Sequence, residues 1–500
     1  MKPDVAYAEL IRRSREKTLL ASCLDLLSWD EEVCMPRGGV GHRSEQQALL
    51  AGLVHDRGTE PDYDDLLSGV EGTSLVSDPE SPQAVNVREL RRDYDRDRRI
   101  PRRLVEEAAR IRALASQTWA EARKNNDFKT FAPWLARVFA LAREEADALG
   151  FTVERYDALL DNYEPGMTAN RVAALFTQLE AQLVPLVATL RDDSAIAPDD
   201  VRTRDFPIDR QHLFVEGVAG ALGFDLESGR LDVVQHPFCS KIGPGDVRIA
   251  LRYFANNFAG GFFALVHEAG HALYDQGLDR EHYGTPMGEA VSLGIHESQS
   301  RLWENYVGRS RGFWRHFYPQ LKSAFHESLH DIPVETFRRS VNRIKPGLIR
   351  VQADEVTYNL HVVIRFELER ALLSGDLLAP DVPGAWNELY QRRLGITPND
   401  DSTGCLQDIH WADGLIGYFP TYTLGNVYAA QLFSAAERAI GPLEEAFANG
   451  DFSTLRAWLG ENVHRHGKRY KAAELIERAT GSAPDPSALI ESLSRRYRSE

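Results

Sequence analysis

Apolar residues recur at spacings of three and four along most of this 500-residue chain, and this helical period is the feature that most constrains its fold. After Pro101, a residue that suits the first turn of a helix, the period is visible in Leu104, Ala108, Ile111 and Leu114. A chain of this length buries enough surface to support one large helical body. The pattern therefore predicts a mainly α fold.

One segment departs from the helical period. Around residues 231–253 the runs LDVVQHPFC and DVRIALRY flank a KIGPG turn, and the second run alternates apolar Val247, Ile249 and Leu251 with other residues. Alternation of this kind is typical of a strand. We expect a small antiparallel β-ribbon here, immediately before the helix that carries the chemistry.

Charge and cysteine content narrow the class of protein. Lys and Arg number 58 against 74 for Asp and Glu, and the net charge of −16 disfavours a nucleic-acid partner. The four cysteines, Cys23, Cys34, Cys239 and Cys405, show no CxxC spacing, which favours reduced structural thiols. The start of the chain has no signal-like apolar region, and no run of 18 apolar residues occurs. We expect a soluble cytoplasmic protein without a membrane partner.

The motif H-E-x-x-H stands in FFALVHEAGHALYDQG as His267, Glu268 and His271. On a helix, residues four apart differ by roughly 40° in azimuth, so both imidazoles can face one metal ion. Glu268 is turned by roughly 100° from His267, a position suited to a general base. Because this composition produces an HExxH by chance in roughly one chain of this length in thirty, the motif alone is suggestive only.

A third metal ligand is needed for a zinc site with an open position. The apolar run before His267 predicts a buried helix, whose polar groups need partners that a metal supplies. Two later carboxylates, Glu289 and Glu297, are candidates. Glu297 also has Arg301 four residues on, so its alternative is a helix-surface ion pair. Spacing alone leaves the choice open.

Several motifs together resemble the carboxypeptidase Taq family of thermostable-type metallocarboxypeptidases. They are HPF at 236–238, HEAGH at 267–271, HESQSR at 296–301, IRVQAD at 349–354 and GCLQDIHW at 404–411. The resemblance extends from LSWDEEVCMPRGG at 27–39 through YDALLDNYEPGMT at 156–168 to GENVHRHG at 460–467. It therefore covers nearly the whole chain.

The resemblance implies zinc bound by His267, His271 and Glu297, with Glu268 as catalytic base. It also implies a mainly helical fold with a deep groove, similar to neurolysin and angiotensin-converting enzyme, usually as a homodimer. On this basis we predict one peptidase domain over residues 1–500, with residues 1–200 as an N-terminal helical subregion covering the groove and residues 201–500 as the catalytic core.

One departure from the family concerns the ribbon. The family pattern D-x-R-x-T is DVRIA here, with Ala250 where a threonine is expected. Loss of that hydroxyl leaves the metal ligands and the base intact. We expect it to affect substrate affinity or metal preference rather than the type of reaction.

Recognition of a free C-terminal carboxylate calls for a guanidinium, which binds a carboxylate in bidentate geometry. Arg350 of IRVQAD is the first candidate, with a salt bridge to Asp354 as its alternative. Arg248 on the ribbon is the second, with an ion pair to Asp246 as its alternative. A local cation is needed because the net negative charge opposes an anionic terminus.

The Gly-punctuated stretch GCLQDIHWADGLIGYFPTYTLGN supplies candidate donors to the oxyanion of a tetrahedral intermediate. We predict this role for Tyr422, with Tyr418 and His410 as neighbours in the pocket. Trp411 is expected to pack.

Other polar residues near the motifs are predicted to support the site. His236 and His296 are expected to form hydrogen bonds around it rather than to catalyse. Asp275 follows His271 by four residues and either orients that imidazole or lies on the helix surface.

The predicted activity is hydrolysis of the C-terminal peptide bond of peptides, with broad specificity, by a zinc-activated water and Glu268 as base. Co²⁺ can occupy the same ligands. Residues 247–251 are expected to pair with substrate backbone at a sheet edge. The alternatives are an endo-acting metallo-oligopeptidase on the same fold and a metal-stabilised scaffold without turnover.

Overall fold

A computed structural model of the chain describes residues 1–192 and 200–498. Those residues form 22 α-helices and three strands, so the predicted mainly α fold is confirmed. The helices are α1 (Pro3–Val33), α2 (Val40–Gly58), α3 (Tyr63–Val70), α4 (Pro82–Arg99), α5 (Arg102–Asn125), α6 (Phe128–Leu149), α7 (Arg155–Leu160), α8 (Ala169–Asp192), α9 (Asp200–Thr203), α10 (Ile208–Leu222), α11 (Phe258–Gly277), α12 (Leu293–Arg301), α13 (Arg311–Ala324), α14 (His326–Leu329), α15 (Val334–Val341), α16 (Thr357–Ser374), α17 (Val382–Leu394), α18 (Pro420–Ile440), α19 (Glu444–Ala448), α20 (Ser453–Asn462), α21 (Ala472–Thr480) and α22 (Ser487–Arg498). The strands are β1 (Gly229–Val233), β2 (Phe238–Gly243) and β3 (Asp246–Leu251).

The main hydrophobic core contains residues from both predicted subregions, 1–200 and 201–500. One buried cluster contains residues from Leu104 to Leu493, and it is dominated by aromatic and branched aliphatic side chains. Two smaller clusters lie under the N-terminal helices, one around Leu10 and Leu67 and one around Trp29. The proposed boundary near residue 200 adjoins residues outside the described ranges, and the division of the domain stays a prediction.

The ribbon is part of a mixed sheet of three strands in the order β1-β3-β2. β2 and β3 pair antiparallel across the KIGPG turn, as expected, whereas β1 pairs parallel with β3. The first apolar run is therefore divided between two strands. Its break falls at Pro237, whose missing N–H and fixed φ interrupt a strand.

The predicted edge pairing of residues 247–251 with substrate is wrong. These residues lie in β3, the central strand, which is hydrogen-bonded to a neighbour on each side. Strand alternation reports which side chains face the core and does not report a strand's place in the sheet. The outer strands of the sheet are β1 and β2.

One helix among the described residues is long and apolar enough to span a membrane by length and composition alone. It covers residues 169–189 within α8, with a mean hydropathy of 1.4. Its inward side chains, among them Phe176, Leu179 and Leu183, are buried in the main core. A core helix of a globular body shares this composition.

Candidate active site

Helix α11 presents the HExxH residues from a buried position. Its N-terminus is capped by Asn257, whose Oδ1 accepts a hydrogen bond from the Gly260 N–H at 3.1 Å. The apolar residues that follow, from Phe258 to Val266, pack largely into the main core. His267 and His271 retain 19% and 17% exposure of their side chains, so this face of the helix remains open.

Two glycines allow the helices around Glu297 to approach closely. A Cβ atom on Gly270 of α11 would lie 2.5 Å from the Ser300 Cα of α12. A Cβ atom on Gly425 of α18 would lie 2.5 Å from the Cγ of Glu297. Only glycine leaves room at these contacts, which hold α12 between α11 and α18. Glu297 is thereby brought against the two imidazoles.

The three predicted metal ligands converge. Oε2 of Glu297 lies 3.6 Å from Nε2 of His267 and 3.5 Å from Nε2 of His271. One donor atom from each residue falls within 4.8 Å of the others, which makes them a candidate metal-binding group. Two imidazoles and a carboxylate are a donor set used by zinc in hydrolytic sites.

The other imidazole nitrogens are already bonded, so the Nε2 atoms are the ones that face the Glu297 carboxylate. Nδ1 of His267 lies 3.0 Å from Oε2 of Glu304, and Nδ1 of His271 lies 2.6 Å from Nδ1 of His296. A ligand histidine commonly donates its second N–H to a carboxylate or another acceptor, which fixes the tautomer and ring orientation. The residues present therefore fit a bound divalent cation.

Glu297 combines the ligand position with the ion pair that the sequence offered as its alternative. Nε of Arg301 donates to Oε1 at 2.7 Å, while Oε2 faces the imidazoles. Burial opposes ionisation of Glu297, but attraction to Arg301 and to the imidazoles outweighs it and holds its pKa well below the usual range. The carboxylate is thus anionic and oriented before any cation binds.

Glu289, the other candidate ligand, lies elsewhere. Its carboxylate pairs with Nζ of Lys468 at 2.5 Å and is 43% exposed. The spacing of 18 residues from His271 therefore leads to a half-buried ion pair away from the histidines, because α12 rather than the preceding loop packs against α11.

Glu268, between the two histidines, is half-buried. Burial raises its pKa to about 7, even though attraction to His267 lowers it. A carboxylate with a pKa close to neutral is suited to accept and return a proton. The positive field of a bound cation would lower this value.

His296 and Asp275 form a short chain behind His271. Nε2 of His296 lies 3.3 Å from Oδ2 of Asp275, and its Nδ1 contacts His271. Asp275 thus reaches His271 through His296 rather than directly. His236 lies exposed in the loop between β1 and β2.

Arg350 is buried and paired with Asp408, not with Asp354. Its Nε and Nη2 lie 2.9 and 2.8 Å from Oδ1 of Asp408, and Nη1 donates to the Tyr358 hydroxyl at 2.9 Å. Asp354 instead accepts the backbone N–H groups at the start of α16. The guanidinium lies 4.9 Å from the ring centroid of Tyr422, and the residue is only 4% exposed.

Arg248 forms the ion pair that was its alternative. Nε and Nη2 donate to the two carboxylate oxygens of Asp246, each at 2.7 Å. The guanidinium also lies 5.6 Å from the ring of Trp29. On the same strand, Ala250 is fully buried in the small cluster with Trp29 and Val234. The position where the resemblance predicted a threonine hydroxyl is apolar here.

The three predicted oxyanion-side residues cluster. Nε2 of His410 lies 3.0 Å from the Tyr422 hydroxyl, and the rings of Tyr418 and Tyr422 are 5.3 Å apart. Tyr422 precedes Gly425 by three residues on α18, so it lies one turn from the contact with Glu297. Burial, and next the nearby charge of Glu297, raise the pKa of Tyr418 to about 12, which keeps its hydroxyl protonated.

Sequence reasoning missed several residues that build the site. They are Glu304, Tyr358, Arg365, Glu369 and Asp408. Two of them carried a signal: Glu304 follows Glu297 by seven residues, two helical turns, and Asp408 lies within the GCLQDIHW motif. The others show no local pattern that separates them from ordinary core positions of α16.

A mainly helical body that holds an HExxH helix against a downstream glutamate has the features of a metallopeptidase. The family profile of the carboxypeptidase Taq (M32) metallopeptidases matches residues 9–497. The chain belongs to this family of metal-dependent carboxypeptidases.

Individual relatives agree over whole chains. Thermostable carboxypeptidase 1 of Thermus thermophilus is 47% identical over 99% of both chains, and carboxypeptidase 1 of Bacillus subtilis is 35% identical over 94% of both. The crystal structure of an M32 carboxypeptidase from Deinococcus radiodurans R1 is 40% identical and superposes with a TM-score of 0.96 over 99% of both chains. The fold and the peptidase class are therefore established.

Proposed function

We propose that this protein is a zinc metallocarboxypeptidase of broad specificity that removes the C-terminal residue of peptides. The observation that carries the proposal is the convergence of His267, His271 and Glu297, with Glu268 between the two histidines on α11. Family membership supports the reaction class, and the donor set supports zinc.

His267, His271 and Glu297 would hold the cation, and Co²⁺ suits the same ligands. When bound, a divalent cation supplies Lewis-acid polarisation of the scissile carbonyl and acidifies water. Glu304 and His296 keep the imidazoles oriented from behind, so the ligands need little rearrangement to receive the ion.

Glu268 takes the proton from the attacking water and then returns it to the leaving amine. Its place between the two histidines and its partial burial, which raises its pKa, support this role. The Tyr422 hydroxyl donates to the oxyanion that develops on the carbonyl. When His410 donates through Nε2 to the Tyr422 oxygen, the hydroxyl proton is free to point to substrate.

Arg350 is the proposed anchor for the substrate's terminal carboxylate. It is the cation next to Tyr422, and its Nη groups keep N–H donors beyond those engaged by Asp408 and Tyr358. Arg248 is the second candidate for the anchor; it is paired with Asp246, and its side chain is 17% exposed. Tyr418, which packs against Tyr422, is proposed to line the same pocket.

The variant Glu268→Gln tests the base. We expect about a thousandfold loss of kcat on a short peptide, because general-base catalysis contributes on the order of 10²–10⁴. Zinc content should remain one ion per chain, since the ligands are intact. Glu281→Gln, at an exposed glutamate four residues beyond the end of α11, is the control and should retain activity. Full activity of Glu268→Gln would refute the assignment.

A peptide and its C-terminal amide together test the anchor. An exopeptidase that binds the carboxylate should lose at least about tenfold in kcat/KM on the amide, a discrimination worth about 1.4 kcal/mol. Equal rates on both would favour the endo-acting alternative, and zinc binding without hydrolysis of either peptide would favour a scaffold.

We also propose a homodimer in the cytoplasm. α1 and α2 expose large apolar side chains, including Leu19, Leu49 and Leu53, and α2 buries only Gly58. All four cysteines are free, in keeping with a reducing compartment. Sedimentation equilibrium tests the dimer: Leu49→Glu with Leu53→Glu should shift a dimeric mass towards the monomer if these helices form the interface.

A further inference from the structure

Glu369 is a buried carboxylate behind the loop that carries two residues of the proposed substrate pocket. We refer to residues 408–418 as the donor loop, because His410 and Tyr418 lie in it. Glu369 belongs to α16 and is fully buried. The chemistry proposed above does not use it.

One carboxylate binds both arms of the donor loop. Nε1 of Trp411 donates to Oε1 of Glu369 at 3.0 Å, and the Gly417 N–H donates to Oε2 at 3.2 Å. Trp411 directly follows His410, and Gly417 directly precedes Tyr418. One bond therefore holds the side chain of the residue after His410, and the other holds the backbone of the residue before Tyr418.

A third donor comes from outside the loop. The Tyr156 hydroxyl of α7 donates to Oε2 at 2.6 Å. Arg365, one turn before Glu369 on α16, donates to Oδ2 of Asp408 at 2.8 Å. Helix α16 thus bonds to the donor loop at Asp408, Trp411 and Gly417. Glu369 accepts two of these three hydrogen bonds, those from Trp411 and Gly417.

Burying the Glu369 carboxylate costs free energy unless its hydrogen bonds are formed. Burial raises the pKa of Glu369 to about 7, against the effect of its three donors. A buried carboxylate is a weak source of stability, because apolar residues of similar volume often replace such groups without loss. Its geometry matters more, since an apolar side chain cannot bind two separated N–H groups.

We propose that Glu369 is a positioning residue: it closes the donor loop so that His410 and Tyr418 face the metal ligands. The catalytic part of this inference rests on the proposed function, whereas the structural part, the closure of the loop, does not. Two measurements therefore test it, hydrogen exchange of the loop and steady-state kinetics on a short peptide.

Glu369→Gln is the main variant. An amide has one acceptor oxygen and one NH₂ group, so it cannot replace both of the carboxylate oxygens that accept from Trp411 and from Gly417. We expect exchange of peptides spanning 408–418 to accelerate at least about tenfold and kcat to fall roughly tenfold, with KM changed less than about twofold. Zinc content should be unchanged, because no metal ligand is touched.

Two further variants separate positioning from general stability. Trp411→Phe removes one loop tie and leaves Glu369 in place, so it should shift exchange and kcat in the same direction and serves as the test if Glu369→Gln does not fold. Tyr156→Phe removes the donor that lies outside the loop. It should lower the melting temperature while leaving loop exchange and kcat within about twofold of the wild type.

Unchanged loop exchange in both Glu369→Gln and Trp411→Phe would overturn the inference, as would an equal loss of kcat in Tyr156→Phe. Failure of the wild-type protein to release any C-terminal residue would instead overturn the proposed function. In that event faster exchange in Glu369→Gln would still support closure of the loop by Glu369, and unchanged exchange would refute it.

Discussion

The two halves of the site differ in how much of their bonding capacity is already used. The metal half, His267, His271 and Glu297, is bonded from behind and retains Nε2 atoms turned towards a partly exposed face. The proposed anchor half, Arg350, Arg365 and Asp408, is buried, and the single carboxylate of Asp408 is shared by the two guanidinium groups. In the proposed function, a cation would meet free donors in the first half, whereas a substrate carboxylate would compete with Asp408 in the second.

This difference indicates where each half is vulnerable. Loss of one charge in the anchor half leaves a buried unpaired ion, and such a loss acts on the stability of the fold. The outer residues of the metal half are expected to act on metal affinity first. The following predictions test that distinction.

Asp408→Asn should have the largest effect in the anchor half. It leaves Arg350 and Arg365 facing a neutral amide in the interior, so we expect a loss of about 4 kcal/mol in the free energy of unfolding. Urea denaturation measures this loss. Asp413→Asn, in the same loop but half-buried and bonded to Ser116, should change stability by no more than about 1 kcal/mol. If both variants lost the same free energy of unfolding, the pairing of Asp408 with the two arginines would not explain the loss.

A buried glutamate lies behind each half of the site, and each should make the free energy of unfolding depend on pH. Burial raises the pKa of both Glu164, which binds the Gly294 N–H at the start of α12, and Glu369 to about 7. Because each pKa is raised on folding, its stabilising contribution is complete below about pH 4.5 and is lost as the pH rises to about 7.

The two Gln variants isolate this contribution. For each glutamate, the wild-type advantage in unfolding free energy over the Gln variant should shrink by up to about 3 kcal/mol between pH 5 and pH 7.5. Chemical denaturation at the two pH values measures it. A constant advantage would mean that the carboxyl group has the same pKa in the folded and unfolded chain.

Gly270→Ala tests the close approach that forms the metal half. The added Cβ would lie 2.5 Å from the Ser300 Cα and 2.6 Å from the Gln299 carbonyl oxygen, so α12 must move. We expect a loss of about 2 kcal/mol in stability together with weaker zinc binding. Gly220→Ala is the control, because a Cβ there meets no atom within 4 Å and alanine favours a helix. It should be neutral or stabilising.

Glu304→Gln tests the carboxylate behind His267, which also pairs with Arg301 and Arg309 at 3.2 Å each. The amide can still accept from His267, but the charge that favours a donating Nδ1–H is lost, and we expect about tenfold weaker zinc binding with an unchanged KM. Competition with a chromophoric chelator measures the affinity. Glu461→Gln, an exposed glutamate, is the control. A raised KM with unaltered zinc affinity would show that the halves are not separable.

Prediction from sequence succeeded where the relevant contact is local. The helical period led to the mainly α fold, and an i, i+4 spacing was enough to place His267 and His271 on one helix face. Prediction was less successful for contacts between different helices and strands. Spacing alone did not choose between Glu289 and Glu297, and the antiparallel ribbon was foreseen without the parallel strand β1 or the central place of β3.

Arg350 illustrates the limit most clearly. Its nearest acid in sequence, Asp354, accepts the Thr357 N–H at the start of α16, while the acid that binds it is 58 residues away. A guanidinium can pair with any carboxylate that packing brings within reach, and local spacing does not report which one arrives. The same holds for Glu369, which is an ordinary position in α16 until the donor loop folds over it.

The order of residues along the chain determined the helices, the HExxH face and, through joint motifs, the family. Tertiary packing decided which carboxylate completes the metal half, which acid occupies the anchor half and which buried group closes the donor loop. The physical reason is range: helical periodicity follows from bonds between residues three or four apart, whereas α12, α16 and α18 meet only when distant surfaces are buried together.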